Sequence, residues 1–150
     1  MLRDDLQNGL KEAMKSRDMN TVSAIRLIIA GQKEKDVEAR GKGLEKASDA
    51  DLLSMMQTMI KQRNESIKIY TEGKREDLAA KEQGEIDVIS RFLPKQLNAQ
   101  EMENAIKATI TSSGATSIKD MGKVMSSLKS QYAGQMDFGA ASAVIKKLLA

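Results

Sequence analysis

A single proline constrains the folding of this chain most, because Pro94 is the only proline among 150 residues. Proline has no backbone N–H and biases the residue before it away from the helical conformation. A helix that arrives through Ile89 should therefore end near Leu93. The proline-free stretches on either side can each form uninterrupted helices.

A helix start follows this stop within a few residues. Asn98 and Glu101 have the spacing of a capping box, in which the Asn98 side chain accepts from an N–H of the first turn and Glu101 bonds back to the Asn98 N–H. We therefore predict a boundary between two domains, residues 1–93 and 94–150. The predicted hinge consists of Leu93, Pro94 and Leu97.

Composition favours helix throughout the chain. Aromatic residues make up only 3%, and the sequence is rich in Ala, Leu, Lys, Glu and Met, whereas strands would need more Val, Thr, Tyr and Phe. Apolar residues recur at helical spacing, as in Leu2, Leu6 and Leu10, and no segment alternates like a strand. We predict an all-α protein, with a four-helix N-terminal domain built from long helical hairpins and a small three-helix C-terminal domain.

Cap and turn residues predict the helix limits of the N-terminal part. Asn20 is the expected cap of the second helix, and Ser48 and Gly73 should begin and end the third. The second helix loses its apolar face after Gly31, so its polar half should project past the core into water. Helices two to four should form antiparallel hairpins that pack together at one end and are solvated at their tips.

The chain contains neither cysteine nor histidine. This excludes disulfides, thiolate nucleophiles, Cys/His zinc sites and histidine bases. Glu82, Glu85 and Asp87 cluster in sequence, but Asp87 points away from the other two on a helix, so we expect a solvated face there rather than an active site. We expect no cofactor, no metal and no catalysis by the chain on its own.

The N-terminus carries charge where a secretory signal would be apolar. Arg3, Asp4 and Asp5 leave no room for such a segment, and the longest aliphatic run is only residues 27–30. We therefore expect no signal peptide, no transmembrane helix and a cytoplasmic location.

Charge is distributed unevenly about Pro94. Residues 1–93 carry 17 basic and 17 acidic residues, whereas residues 94–150 carry seven lysines and four acidic residues, a balance of +3. A mildly basic domain is permissive for nucleic acid. The candidate nucleic-acid contacts are Lys119, Gly122, Lys123, Lys129, Lys146 and Lys147. The last two have an alternative role, compensation of the dipole of the final helix.

The sharpest local feature surrounds Gly122. Lys119 and Lys123 lie one turn apart, opposite an apolar stripe that includes Ile118 and Met121. A glycine inside a helix costs about 1 kcal/mol relative to alanine. Gly122 therefore indicates either close packing against a neighbouring helix or room for a phosphate or a backbone to approach. Because aromatic residues for stacking are almost absent, any nucleic-acid contact should be to phosphate or shape.

Several of these motifs together resemble a known family. Residues 92–97 and 119–125, followed by Gly134 and Asp137, resemble the YqeY-like proteins, and N-terminal segments extend the resemblance to essentially the full length. The C-terminal part of that family is similar to the tail domain of GatB. GatB is a subunit of the amidotransferase that converts mischarged Glu-tRNA or Asp-tRNA with glutamine as nitrogen donor.

The resemblance implies a four-helix domain followed by a small tail-like domain. It also implies assistance in tRNA binding by that tail, with catalysis in other domains of the amidotransferase, and it includes Lys119, Gly122 and Lys123 as motif members. One departure is Ala140 and Ala141, where relatives often carry larger aliphatic residues.

The leading hypothesis is a non-catalytic accessory protein that engages tRNA or an aminoacyl-tRNA-handling protein, without a membrane or metal partner. The alternative is a helical protein–protein interaction module with no RNA contact, in which the Met-rich third helix or the hairpin tips receive a partner. A third hypothesis, amidotransferase or amide-ligase activity of the chain itself, follows only from the family association.

Overall fold

The computed structural model describes all residues, Met1–Ala150, and every regular element in it is helical. The helices are α1 Leu2–Lys15, α2 Met19–Gly41, α3 Asp49–Glu72, α4 Glu76–Ser90, α5 Ala99–Ser113, α6 Met121–Gln131 and α7 Phe138–Leu149, with one 3₁₀ turn at Ile118–Asp120. The prediction of an all-α protein is confirmed.

The contacts divide the chain into two compact units, Met1–Leu93 and Pro94–Ala150. Each unit has its own apolar core. Leu93 packs against the core of the first unit, and Leu97 packs against the core of the second. That the two units are independently folding domains, with a hinge at the residues around Pro94, stays a prediction.

The first unit is built from α1–α4, whose apolar stripes meet in one core. Burying these stripes supplies the main stabilisation, at about 25 cal/mol for each Å² of apolar surface removed from water. The fully enclosed side chains are Leu6, Val22, Ile25, Ile28, Leu52, Met56 and Ile89.

Local cap chemistry begins α2 and α3. Asp18, rather than the expected Asn20, caps α2: its carboxylate accepts from the Thr21 hydroxyl at 2.6 Å and from the Thr21 N–H at 3.1 Å. These hydrogen bonds hold the pKa of Asp18 below its usual value. Ser48 caps α3 as predicted, with a full capping box to Asp51.

The polar half of α2 is held against the unit, so the prediction that it projects into water is wrong. Asp36 accepts two hydrogen bonds from the Arg3 guanidinium, at 2.7 and 2.8 Å, and one from the Ala47 N–H at 2.9 Å. Ala39 and Ala47 are both buried beside this cluster of polar groups. Arg3 on α1, far away in sequence, pairs with Asp36, which the sequence pattern predicted to face water.

The far end of the α3–α4 hairpin is the part that lacks a buried core. No residue between Met56 and Ile86 is buried, and Ile69 is 66% exposed. Arg63 joins the two helices there, donating from its Nε to Glu85 at 2.8 Å.

The second unit packs α5, α6 and α7 around a core of Ile106, Val124, Leu128, Ala141 and Ile145. Ala141 is fully buried, so its small side chain is part of this core, whereas its neighbour Ala140 is exposed.

Asn98 caps the helix that begins this second unit. It accepts from the Glu101 N–H at 2.8 Å, as predicted. The return bond differs, because the Glu101 carboxylate accepts from the Asn98 side-chain amide at 2.9 Å instead of from the backbone.

Candidate nucleic-acid interface

The segment that holds the predicted lysines begins with a second capping box. The Asp120 carboxylate accepts from the backbone N–H groups of Thr116 at 3.0 Å and Ser117 at 3.4 Å. These bonds, helped by the positive charge of Lys123, hold the pKa of Asp120 below its usual value. The helix expected from Ser117 starts as a 3₁₀ turn and becomes α6 at Met121.

This junction places the candidate residues at one end of α6. Lys119 lies in the 3₁₀ turn, and Gly122 and Lys123 lie in the first turn of α6. All three are exposed. The structure therefore brings these three predicted contacts together on one short surface.

Ile118 does not face the core, contrary to the predicted stripe. Its side chain is 52% exposed, while Val124 and Leu128 further along are fully buried. A 3₁₀ turn rotates each residue by about 120°, against about 100° in an α-helix, so a stripe extrapolated back through the junction loses its register.

Gly122 lies in open space. A Cβ built on it would meet no atom within 4 Å, and its φ is not positive. Close packing against a neighbouring helix of its own unit, one of the two interpretations of this glycine, is therefore excluded.

The acidic residues of Pro94–Ala150 leave most of its lysines unpaired. Its two glutamates pair with Lys95 at 4.0 Å and with Lys107 at 3.1 Å. Its two aspartates, Asp120 and Asp137, accept from backbone N–H groups as helix caps. The lysines without an ion pair are Lys119, Lys123, Lys129, Lys146 and Lys147, and all five are exposed. These are the five lysines that the sequence singled out.

The remaining three lysines lie at helix C-termini. Lys129 is in the last turn of α6, about 9 Å along the helix axis from Lys123. Lys146 and Lys147 are in the last turn of α7, where positive charge suits the helix dipole. Their placement agrees with dipole compensation as well as with a basic surface.

No aromatic ring is available on this surface for stacking. Tyr132 and Phe138, the aromatic residues of the second unit, pack against its core. A nucleic acid would therefore be held by its phosphates and shape, without stacking of bases on side chains.

The carboxylates that cluster in sequence on α4 form a structural ion pair. Glu85 and Glu82 lie 2.8 and 4.0 Å from the Arg63 Nε, and both are largely screened from water, so the expected solvated face is wrong for these two. Asp87 points elsewhere and accepts from the Gln83 amide at 3.0 Å. No group of three or more acidic side chains is placed to hold a metal ion, and none of the helices is long and apolar enough to cross a membrane.

A groove of about 590 Å³ between α2 and α3 is a second candidate surface that the sequence indicated only through its methionines. Met55 and Met59 line it from α3. Leu27 and Leu44, which are 45% and 56% exposed, lie along it.

Comparison with known proteins finds one family over nearly the whole chain: residues 3–149 match the family described as Yqey-like protein. The chain is also similar to altered inheritance of mitochondria protein 41, a mitochondrial protein. The Saccharomyces cerevisiae protein is 35% identical over 98 residues, 65% of this chain and 51% of the relative. The Candida glabrata protein is 36% identical over 99 residues, 66% of this chain and 53% of the relative. This chain thus matches about half the length of these curated relatives.

These relatives overturn the prediction of a cytoplasmic location, because their names place them in mitochondria. The prediction rested on the missing apolar segment of a secretory signal. Mitochondrial targeting segments are amphipathic and rich in arginine, so that test does not distinguish cytoplasm from mitochondria.

Proposed function

This chain belongs to the YqeY-like protein family, and we propose that it is a non-catalytic accessory protein whose C-terminal unit engages tRNA or a protein that handles aminoacyl-tRNA. The similarity of the family's C-terminal part to the GatB tail motivates this proposal. That similarity associates the family with carbon–nitrogen ligation that uses glutamine as amido donor.

The observation that carries the proposal is the set of unpaired lysines in Pro94–Ala150. Both glutamates of the unit form ion pairs, with Lys95 and with Lys107, and both aspartates cap helices. Five exposed lysines consequently keep their charge available for an anionic partner. Neutralising phosphates with lysines releases counterions, which is the main source of sequence-independent affinity for nucleic acids.

Catalysis is assigned to other proteins. The carboxylates that cluster on α4 are held by Arg63, and the chain has no cysteine or histidine to activate glutamine. We expect no release of ammonia from glutamine by the purified chain, and measurable release would contradict the accessory role.

The first test measures binding of the purified chain to bulk tRNA from low to physiological salt. The affinity of the wild type should fall with salt, and the Lys119→Glu/Lys123→Glu variant should abolish binding. The matched control is Lys95→Glu/Lys107→Glu, which makes the same charge change at two lysines already engaged in ion pairs.

The control separates a specific surface from bulk charge. The control variant should retain most of the wild-type affinity. Any binding that remains in the Lys119 and Lys123 variant at low salt should have a salt slope smaller by about one unit for each phosphate contact removed. Equal losses in the two variants would show that only net charge matters. No binding by the wild type at low salt would remove the proposal.

A second candidate function is a helical interaction module, and the groove between α2 and α3 favours it. The groove presents Leu27, Leu44 and flexible methionines, a surface suited to an amphipathic helix. Capture of a protein partner that survives nuclease and high salt, and that is lost in Leu44→Asp, would support this function over RNA binding. Leu44 is exposed, so this substitution should leave the fold intact.

A further inference from the structure

We propose that the backbone of the bound RNA passes directly over Gly122, so that the main chain of α6 at this residue is itself a contact surface. This inference rests on the proposed engagement of tRNA. It assigns the glycine a role in binding that neither the packing nor the backbone of the folded chain requires.

The folded protein has no steric or conformational need for a glycine at position 122. A Cβ at Gly122 would meet nothing within 4 Å, and the residue has no positive φ. An alanine would therefore fit, and it would favour the helix, because alanine has the higher helix propensity. Gly84 is equally free of contacts, so a missing side chain does not by itself indicate a ligand. Gly122 differs because two exposed lysines without an ion pair lie beside it, whereas the neighbours of Gly84 include the acidic Glu82 and Glu85.

The surroundings of Gly122 indicate an anionic ligand. Lys119 precedes it by three residues and Lys123 follows it directly, and both are exposed without an ion pair. The neighbouring carboxylate, Asp120, is turned into the cap formed with Thr116 and Ser117. The positive end of the α6 dipole lies at the same place.

The ligand class follows from the size and chemistry of this surface. Lys119 and Lys123 lie near the one position without a side chain, Gly122, so a phosphate can approach the helix backbone there. Ile118, exposed one turn from Gly122, offers an apolar contact of the kind that a ribose accepts. Because no exposed ring is present, double-helical RNA should bind better than an unstructured single strand.

The test compares the full-length wild type with Gly122→Ala and Gly122→Leu, using fluorescence anisotropy with labelled bulk tRNA at low salt. Gly84→Ala is the matched control, because Gly84 is also exposed within a helix and a Cβ there would also meet nothing within 4 Å. A thermal melt of each variant accompanies the binding measurement.

We expect Gly122→Ala to weaken binding about tenfold, the size of one lost close contact, and Gly122→Leu to weaken it further. Both alanine variants should melt at or above the wild-type temperature, and Gly84→Ala should bind as the wild type does. An unstructured oligonucleotide with the same number of phosphates should bind more weakly than tRNA and should lose less from Gly122→Ala.

Two results would overturn the inference alone. In the first, tRNA binding depends on Lys119 and Lys123 but is unchanged in both Gly122 variants. In the second, Gly122→Ala lowers the melting temperature, which would show that the fold needs the glycine. Absence of tRNA binding by the wild type would instead overturn the proposed function and this inference together.

Discussion

The cluster formed by Arg3, Asp36 and Ala47 should be the strongest polar contribution to the stability of the first unit. We expect Arg3→Ala and Asp36→Ala each to lower the free energy of unfolding substantially. The pair links the start of α1 to the polar half of α2 and to the loop before α3. Removing either side chain leaves hydrogen-bonding groups without partners.

The magnitude follows from the contacts. Asp36 accepts from Arg3 at 2.7 and 2.8 Å and from the Ala47 N–H at 2.9 Å, and Arg3 also donates to the Ala47 carbonyl at 2.8 Å. The Arg3 and Asp36 side chains are 21% and 13% exposed. Losing one member of a fully buried pair costs about 3–5 kcal/mol, and of an exposed pair about 0–1 kcal/mol. For this largely buried pair we expect a loss of about 3 kcal/mol for either variant.

The assay is urea unfolding of the wild type, both single variants and the double variant, followed by helical circular dichroism. The double variant should lose less than the sum of the single losses, with a coupling energy of about 2 kcal/mol. The control is the pair of Lys35 and Glu38 on the same helix, whose side chains are 38% and 57% exposed. Breaking that pair should change stability by less than about 0.5 kcal/mol.

A coupling energy below about 0.5 kcal/mol would refute this reasoning, because the two side chains would then contribute independently. An equal loss of unfolding free energy when the control pair and the cluster are broken would also refute it. Either outcome would mean that burial does not distinguish the two ion pairs of α2.

The remaining predictions concern pH, helix ends and the boundary between the units. The Arg3 guanidinium holds the pKa of Asp36 well below its usual range, so the stability that Asp36 supplies should be complete above about pH 4 and lost as pH falls below it. Urea unfolding at several acid pH values should show this loss in the wild type, and a matching loss in Asp36→Ala would contradict it. Asn98→Ala should destabilise the second unit by about 1 kcal/mol through the lost cap, and unchanged thermal unfolding would argue against the cap. Lys74, at φ 59°, occupies a left-handed position, so Lys74→Gly should raise stability by up to about 1 kcal/mol in the same melt, whereas a lower stability would show that the lysine side chain is needed. A fragment of residues 94–150 should give a helical spectrum and a cooperative melt, and a spectrum without helix would reject this unit as an independent domain.

Helix positions were largely predictable from sequence because their determinants are local. Ser48 and Asn98 accept from N–H groups three residues away, and Gly73 ends α3 within the same turn. The error at α2 was also local: Asp18 and Asn20 are both good caps, and only the folded backbone shows that Thr21 donates to Asp18. Two nearby candidates of equal propensity cannot be separated by pattern alone.

The candidate interface was predictable in its residues and not in its geometry. The charge balance that changes at Pro94 indicated the basic domain, and Lys119 and Lys123 could be singled out because they lie one turn apart around Gly122. Sequence does not show which lysines the glutamates pair with. In the structure Glu101 pairs with Lys95 and Glu103 with Lys107, so neither neutralises the five candidate lysines. The exposure of Ile118 depends on a 3₁₀ turn whose rotation a helical pattern does not contain.

The sequence by itself determined the helical class, most of the helix ends and the residues of the basic surface, because caps, glycines and apolar spacing act over one or two turns. Tertiary structure alone decided which polar groups pair with partners distant in sequence. Arg3 meets Asp36 across 33 positions of the chain, and no helix of the second unit packs over Gly122. Contacts between distant residues depend on how whole helices pack, and that information is absent from any local stretch of sequence.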